Sequence, residues 1–534
     1  VADQLRPDSL KWALTHILRF GDTDLFPVPF EYKAIEHSWD GLQGELVSLD
    51  LSTYEPRSLR RFLVPKPGGG FRVAIQLDPI DTLLYTAMIY EAAALIEQQR
   101  VSPERRIACA YRVEIDANGQ FFRAQNGWPD YHEQSTLLAQ SGKYNYVLTA
   151  DIADFYNQIS HHRVRNALEL AGASPERARN VEQFLMNLAA LQSRGIPVGP
   201  SASILLSEAC LSDVDSFLLR KGYVHTRYSD DFRIFCTNRC EAHRALHDLS
   251  DYLYTAHRLT LQSSKTRPVP IAEFVETELL DPERLEEQGK TEKLNQLMNV
   301  LEEYIEAAYS SFGDGVSIEE IIDGLPEEQL RIARDNIVEL FDACLQKTPL
   351  HLGLSRYLLR RASALQTGVL QERVLENLDT LAPVMRDTAK YLTKSMRAST
   401  AVTIGNGLIK FVTTSDLAFI PYLRLWIASI FLEKLTAEFG NVIYPLFEDI
   451  DDRLGVRPMA LLACELKLLD WVRERKETWN NHSPWDRRSI VWAASVLPQD
   501  ERGFWLKRVQ GSGDILDRAV AKAILGGLRF TSGG

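Results

Sequence analysis

Hydrophobic and polar positions alternate with period two on both sides of a short acidic break. Val224, Thr226 and Tyr228 alternate with His225 and Arg227 before it; Phe232, Ile234 and Cys236 alternate with Arg233 and Phe235 after it. This pattern predicts a β-hairpin with Ser229, Asp230 and Asp231 at its turn. A second hairpin is predicted upstream, where Phe62-Leu63-Val64 and Phe71 to Ile75 flank Pro65-Lys66-Pro67 and three glycines. Residues 144–150 form another β-patterned run, and it ends at Asp151. Helical spacing covers Leu10 to Leu18, Leu83 to Ile96, a segment from His161, one through Ile204, Leu205, Leu206 and Ala209, and one from Cys240 to Ala256. Residues 107–143 hold no clear period and read as an insertion between core elements.

Past about Pro270 the strand patterns stop. Leu294, Leu297, Met298, Leu301 and Ile305 make one amphipathic face, and Leu330, Ile337, Leu340, Phe341 and Cys344 make another that starts after Pro326 with Glu327 and Glu328 in its first turn. Residues from about 280 to 534 therefore read as an all-α domain, a degenerate helical-repeat array. The most apolar run, Ala418 to Leu435, is broken by Pro421 and Arg424, so it reads as a buried helix and not as a membrane span. No basic-then-apolar leader is visible at the start. The apolar share of 45% and charged share of 25% are those of a globular chain, and 534 residues suffice for several domains.

Charge narrows the chemistry. A net charge of -12 argues against a protein coated in basic residues, yet leaves room for a local basic groove. Arg57, Arg60, Arg61, Lys66 and Arg72 crowd the glycine hairpin, and cations on such a loop suit a polyphosphate. The six cysteines form no CxxC pair, which points to free thiols in a reducing cytosol. Adjacent carboxylates at a tight turn repel each other, and a divalent cation such as Mg²⁺ offsets that repulsion. Asp151 at the end of another strand can join Asp230, with Asp231 assisting. Asp154 reads as a helix-start carboxylate, and His161-His162 as a surface pair at a helix start.

The order of these parts resembles that of the reverse transcriptases, the palm-type polymerases with a YxDD turn. It runs from the basic glycine hairpin to strand-Asp151-xxxx-Tyr156, to Gly195-x-Pro-x-Gly-Pro, to Tyr228-Ser-Asp-Asp, and to Leu-Gln-x-x-Lys265-Thr, over residues 57–270. The resemblance implies an α+β palm-and-fingers fold over 1–275, followed by an all-helical domain over 276–534 in place of a conventional thumb. It implies that Asp151, Asp230 and Asp231 are catalytic and hold two Mg²⁺ ions about 4 Å apart, with Mn²⁺ as a substitute and the backbone carbonyl of Ile152 as a further ligand. It assigns Lys66 and Arg72 to the triphosphate, and Arg194 and Gly195 to the loop lying against the nucleotide. Many relatives carry Gln or another polar residue at the Arg194 position. Lys265 matches a palm lysine near the triphosphate, or is a solvated strand-end lysine. Tyr156 matches the aromatic that crowds the sugar 2′ position and selects deoxynucleotides, or is a core aromatic.

A palm joined to a large helical domain resembles the bacterial defence enzymes, the abortive-infection reverse transcriptases of the AbiK type and their unknown-group relatives. Gln76 to Tyr85 and Ala110-Tyr111-Arg112 carry the same likeness. That resemblance implies antiphage defence in a bacterial cytoplasm, deoxynucleoside triphosphates as substrates and no membrane partner. It also implies assembly as a trimer or hexamer. Some members make single-stranded DNA without a template, primed by a tyrosine of the protein; others copy a partner noncoding RNA. Tyr32, Tyr54, Tyr304, Tyr309, Tyr357, Tyr391, Tyr422 and Tyr444 are the candidate primers. A third reading makes the helical array a scaffold for a phage or host protein.

Overall fold

The computed structural model describes residues 4–123, 127–190, 192–279, 292, 327–448 and 454–528. Contacts divide the chain into two compact units. One holds residues 1–24, 28–61 and 74–281; the other holds 25–27, 62–73 and 282–534.

Both predicted hairpins form. The first pairs β1 (Arg60–Pro65) with β2 (Phe71–Gln76). The first unit is organised by an antiparallel sheet of β3 (Tyr146–Asp151), β4 (Val224–Tyr228), β5 (Asp231–Cys236) and β6 (Arg267–Pro270), in the order β4-β5-β3-β6. Val147, Leu148, Ile234 and Phe235 in its two central strands are almost fully buried because both faces are covered. The helix Arg239–Tyr252 packs against β3, β5 and β6. Val147, Phe235 and Val269 join Ala139, Phe274 and Leu279 in a cluster built with the helix Trp128–Gln140 and the segment after β6.

Residues 107–143 are not an insertion. The Arg227 amide donates to the Ile107 carbonyl at 2.6 Å and the Cys109 amide donates to the Arg227 carbonyl at 2.9 Å, so this segment bridges to the outer edge of β4. Gly127, with φ +83°, then turns the chain into the helix Trp128–Gln140, and a Cβ there would collide with the Cys109 carbonyl. The buried stripe of that helix is Tyr131, Ser135 and Ala139. One aromatic, one hydroxyl and one methyl at i, i+4 and i+8 make a helix too weakly apolar for periodicity to reveal.

The longest helix of the first unit, Pro79–Gln99, starts where proline and a cap coincide: the Asp78 side chain accepts from the Ile80 amide at 3.1 Å. Around this start lie buried carboxylates. Asp22 accepts from the Gln76 side chain at 3.1 Å, and Asp81 accepts from Tyr54 Oη and from the Arg57 amide, each at 2.7 Å. Burial pushes Asp22 up to about 7. Burial, then repulsion from Asp78, pushes Asp81 up to about 7 as well. Both therefore hold protons in the folded chain that the unfolded chain releases near pH 4. Their contribution to stability is complete below that pH and is lost as pH rises toward 7. Substituting Asp22→Asn keeps the hydrogen bond and removes the titration. Thermal unfolding from pH 5 to 8 should show a shallower decline with pH in the variant than in the wild type.

Beyond 279 the described residues form helices and the turns between them, with no strand. The helix predicted after Pro326 forms as Glu327–Gln346, with Glu327 and Glu328 in its first turn. The face predicted on Leu294 to Ile305 lies outside the described residues. The apolar run after Ala418 enters a helix at Pro421, which continues to Ile430 and then winds more loosely over Phe431–Leu435. Phe26 lies 5.2 Å from Phe62 and 6.2 Å from Tyr422, ring to ring, and Trp426 Nε1 donates to the Leu25 carbonyl at 3.1 Å. These contacts show why 25–27 and the outer part of the glycine hairpin group with the helices. Among the described residues no helix is long and apolar enough to cross a membrane.

Candidate active site

β3 ends on Asp151, and its antiparallel register with β5 sets Asp151 opposite Asp231. The hairpin closes with Tyr228 paired to Asp231, which leaves Ser229 and Asp230 as a two-residue turn. Ser229 takes φ +54°, the left-handed conformation that such a turn requires. The Ile152 amide donates to the Asp230 carbonyl at 3.3 Å, so the backbone just past β3 is tied to the turn. The fold thus brings Asp151, Ile152, Asp230 and Asp231 together. Burial, then the Asp151 charge, raises Asp230 above the ordinary carboxylate value. Burial, then Asp230 and Asp151, pushes Asp231 up to about 7.

Lys265 joins them. Its Nζ stands 2.7 Å from Asp151 Oδ2. Burial works against its charge, but Asp151 first, and then Asp231 and Asp230, hold its pKa above the ordinary lysine value. A cavity of about 360 Å³ opens beside this group and is lined by Asp231, Lys265, Thr149, Arg233, Arg267 and Trp128, among others.

The turn rests on a buried charge network that sequence reading missed. Arg227 is fully buried. It donates to both Asp215 oxygens at 3.0 and 2.7 Å, to Glu208 Oε1 at 3.0 Å and to the Ser229 carbonyl at 2.9 Å. Glu208 also accepts from Arg100 at 2.7 Å, and His225 Nε2 lies 3.2 Å from Asp215. Burial alone would raise Asp215, but Arg227 and His225 outweigh it and hold the carboxyl well below its usual range. Glu208 and Asp215 share the helix Ser201–Arg220, seven residues apart and so on one face. Two carboxylates at helical spacing, among the helix's buried residues, were the available signal. Around Tyr228, the first residue of the motif, stand Trp128 at 5.2 Å, Tyr131 at 5.9 Å and Tyr111 at 6.0 Å, all from the segment read as an insertion.

Tyr156 lies in the short helix Phe155–Gln158, and its hydroxyl accepts from Ser207 at 3.3 Å, one residue before Glu208. Burial raises its pKa, and Asp230 is close enough to add to the shift. Gly195 packs beside it: the Ile196 amide donates to the Tyr156 carbonyl at 3.0 Å and the Gly195 amide to the Ile159 carbonyl at 2.9 Å. Gly195 has φ +93°, and a Cβ there would stand 3.4 Å from the Asn157 carbonyl. His161 is fully buried, with Nε2 2.7 Å from the Gly195 carbonyl. The expected surface pair is therefore split: His162 is exposed, while His161 props the Gly195 loop. Arg194 is exposed on that loop. Asp154 is exposed at the start of Phe155–Gln158 and accepts from Asn157 Nδ2 at 2.7 Å. Lys66 and Arg72 are exposed on the β1–β2 hairpin, within the second unit.

Residues 64–278 match the family model for reverse transcriptase (RNA-dependent DNA polymerase). The chain thus carries a reverse transcriptase domain of palm-and-fingers fold, and it is a nucleotidyltransferase of the RNA-directed DNA polymerase class. Among solved structures it is similar to telomerase from Candida albicans in complex with a TWJ fragment of telomeric RNA, at 13% identity and TM-score 0.31, over 75% of this chain and 71% of that one. It is also similar to telomerase from Candida tropicalis, with the same kind of fragment at 10% identity and TM-score 0.34 (73% and 68% covered) and in the apo form at 9% and 0.31 (73% and 74% covered). No curated protein sequence matches the chain.

Reverse transcriptase domains generally use divalent metal ions. Among the described residues no three His, Cys, Asp or Glu side chains stand together at metal-holding spacing, and Lys265 contacts Asp151. The donor chemistry nevertheless fits a hard cation. Two neighbouring strands supply three carboxylates; burial and repulsion disfavour the charges of Asp230 and Asp231, and a divalent ion relieves both.

Proposed function

We propose that this chain is a Mg²⁺-dependent DNA polymerase of antiphage defence in the bacterial cytoplasm. The observation that carries the reading is the register of Asp151 with Asp231, beside Asp230, inside a reverse transcriptase domain. Asp151 and Asp230 are the principal holders of two ions, assisted by Asp231 and the Ile152 carbonyl, and Mn²⁺ is the natural substitute. When bound, the ions supply activation of the attacking oxygen and stabilisation of the leaving one. Lys66 and Arg72 hold the triphosphate and offset its developing charge. Arg194 and Gly195 lie against the incoming nucleotide, and Lys265 passes from Asp151 toward the phosphates. The Tyr156 ring rejects a 2′-hydroxyl, so deoxynucleoside triphosphates are the substrates.

The motif order joined to a large helical region supports the defence assignment, with untemplated, protein-primed synthesis of single-stranded DNA by a homo-oligomer. Tyr32, Tyr391 and Tyr422 are buried and the Tyr54 hydroxyl is bonded to Asp81, which disfavours all four as primers. Tyr357 and Tyr444 are the half-buried candidates, and Tyr304 and Tyr309 lie outside the described residues. Purified protein, treated with nuclease and given Mg²⁺ and labelled deoxynucleotides, is expected to yield product that stays with the chain on a denaturing gel. Product that forms only with a co-purifying RNA would favour templated synthesis instead.

A further inference from the structure

The loop that carries Arg194 and Gly195 is stitched to the segment that carries Tyr156, and His161 closes the seam. Backbone bonds run between them: the Ile196 amide donates to the Tyr156 carbonyl at 3.0 Å, the Gly195 amide to the Ile159 carbonyl at 2.9 Å, and the His161 amide to the Ser193 carbonyl at 3.0 Å. A side chain adds to them, with His161 Nε2 2.7 Å from the Gly195 carbonyl oxygen. A carbonyl only accepts, so Nε2 carries the ring proton. The Gly195–Ile196 peptide is therefore held at both ends, its oxygen by His161 and its N–H by the Tyr156 carbonyl. Gly195 has φ +93°, and a glycine is the residue most free to let such a peptide turn over. The bond from His161 removes that freedom.

The ring is placed for little else. His161 is fully buried, so it does not touch a nucleotide. Burial lowers its pKa, although the Gly195 carbonyl and the Glu182 charge act the other way, so near neutral pH the ring is uncharged and donates through Nε2. Among the described residues its Nδ1 has no hydrogen-bond partner. An unpartnered ring nitrogen in the interior is unfavourable, and an apolar side chain would fill the space without that cost. What leucine would not supply is the bond to Gly195. We propose that His161 is a positioning residue for nucleotide selection, fixing the distance between the Arg194–Gly195 loop and the Tyr156 ring and so the width of the slot for the sugar. The role rests on the reading of that loop and Tyr156 as nucleotide contacts; the clamp itself does not.

The test compares steady-state incorporation of a deoxynucleotide and of its ribonucleotide by the full chain, His161→Leu and His161→Gln, scaled to the folded fraction from thermal unfolding. His161→Leu is expected to raise KM for the deoxynucleotide roughly tenfold, to change kcat less than about threefold, and to lower discrimination against the ribonucleotide roughly tenfold. Glutamine offers an amide N–H where the ring offers Nε2–H, and should restore most of both. In a Tyr156→Ala background His161→Leu should cost no further discrimination, because the ring it aligns is gone. Unchanged KM and discrimination per folded molecule in His161→Leu would overturn the proposal. So would an equal loss in the glutamine variant, which would mark packing and not the bond. Hydrogen exchange at the Gly195 and Ile196 amides reads the clamp without catalysis, and equal protection in the wild type and His161→Leu would overturn it too. A wild-type chain that incorporates neither nucleotide would overturn the polymerase reading, and the selection role with it, even where exchange shows the clamp.

Discussion

Replacing Asp230 by Asn is expected to lower deoxynucleotide incorporation on the order of 10³-fold or more while leaving the fold as stable as before, or more so. Activity falls because a neutral amide is a poor ligand for a hard divalent ion. The charge stabilisation at stake is several kcal/mol, and about 1.4 kcal/mol is tenfold in rate. Stability holds because the Asp230 carboxylate is itself unfavourable in place. Burial and Asp151 both raise its pKa, and Asn has nearly the same shape without the charge. Incorporation rates and thermal unfolding of the same preparation check the two halves together. A variant that loses activity only in proportion to lost folded protein would show that Asp230 is structural.

Replacing Arg227 by Met should act in the opposite way, through the fold first. Asp215 and Glu208 would remain buried with their shared cation gone, and breaking a buried pair from one side costs about 3–5 kcal/mol. For a unit of this size that corresponds to a fall of roughly 6–20 °C in Tm. The Ser229 carbonyl also loses its donor, so the turn carrying Asp230 is released. Residual activity per folded molecule should therefore fall as well, and lysine should not restore it. Lysine lacks the planar fork that reaches two Asp215 oxygens, Glu208 and Ser229 at once. Unfolding curves together with activity scaled to the folded fraction measure both effects.

These two residues show what was and was not legible in the sequence. Asp230 was legible because its information is local: alternation on both sides of a polar break predicts a hairpin, and the hairpin puts the carboxylate at its turn. Asp151 was legible for the same reason, as the end of a β-patterned run. Arg227 has equally local neighbours but distant partners, Asp215 twelve residues away and Glu208 nineteen. On a strand it read as one polar position of an alternating pattern, and periodicity does not tell a solvated arginine from one buried against two carboxylates. The helix Trp128–Gln140 was hidden by composition, since Ser135 and Ala139 give its buried stripe little hydrophobic contrast. His161 looked like half of a surface pair until the chain brought Gly195 back beside it. The grouping of 62–73 with the helical unit depends on Phe26, Phe62 and Tyr422 meeting, and no linear pattern joins residues so far apart.

Asp151, Asp230 and Asp231 are proposed to hold the ions of a polymerase. Anomalous diffraction from crystals of the full chain soaked with Mn²⁺ and a deoxynucleoside triphosphate tests it most directly. Manganese peaks are expected within ligand distance, about 2.0–2.6 Å, of Asp151 and Asp230 oxygens, with the Lys265 ammonium moved away from Asp151. Protein that incorporates nucleotides with Mn²⁺ in solution, yet binds it in the crystal only elsewhere, would place the ions away from these carboxylates.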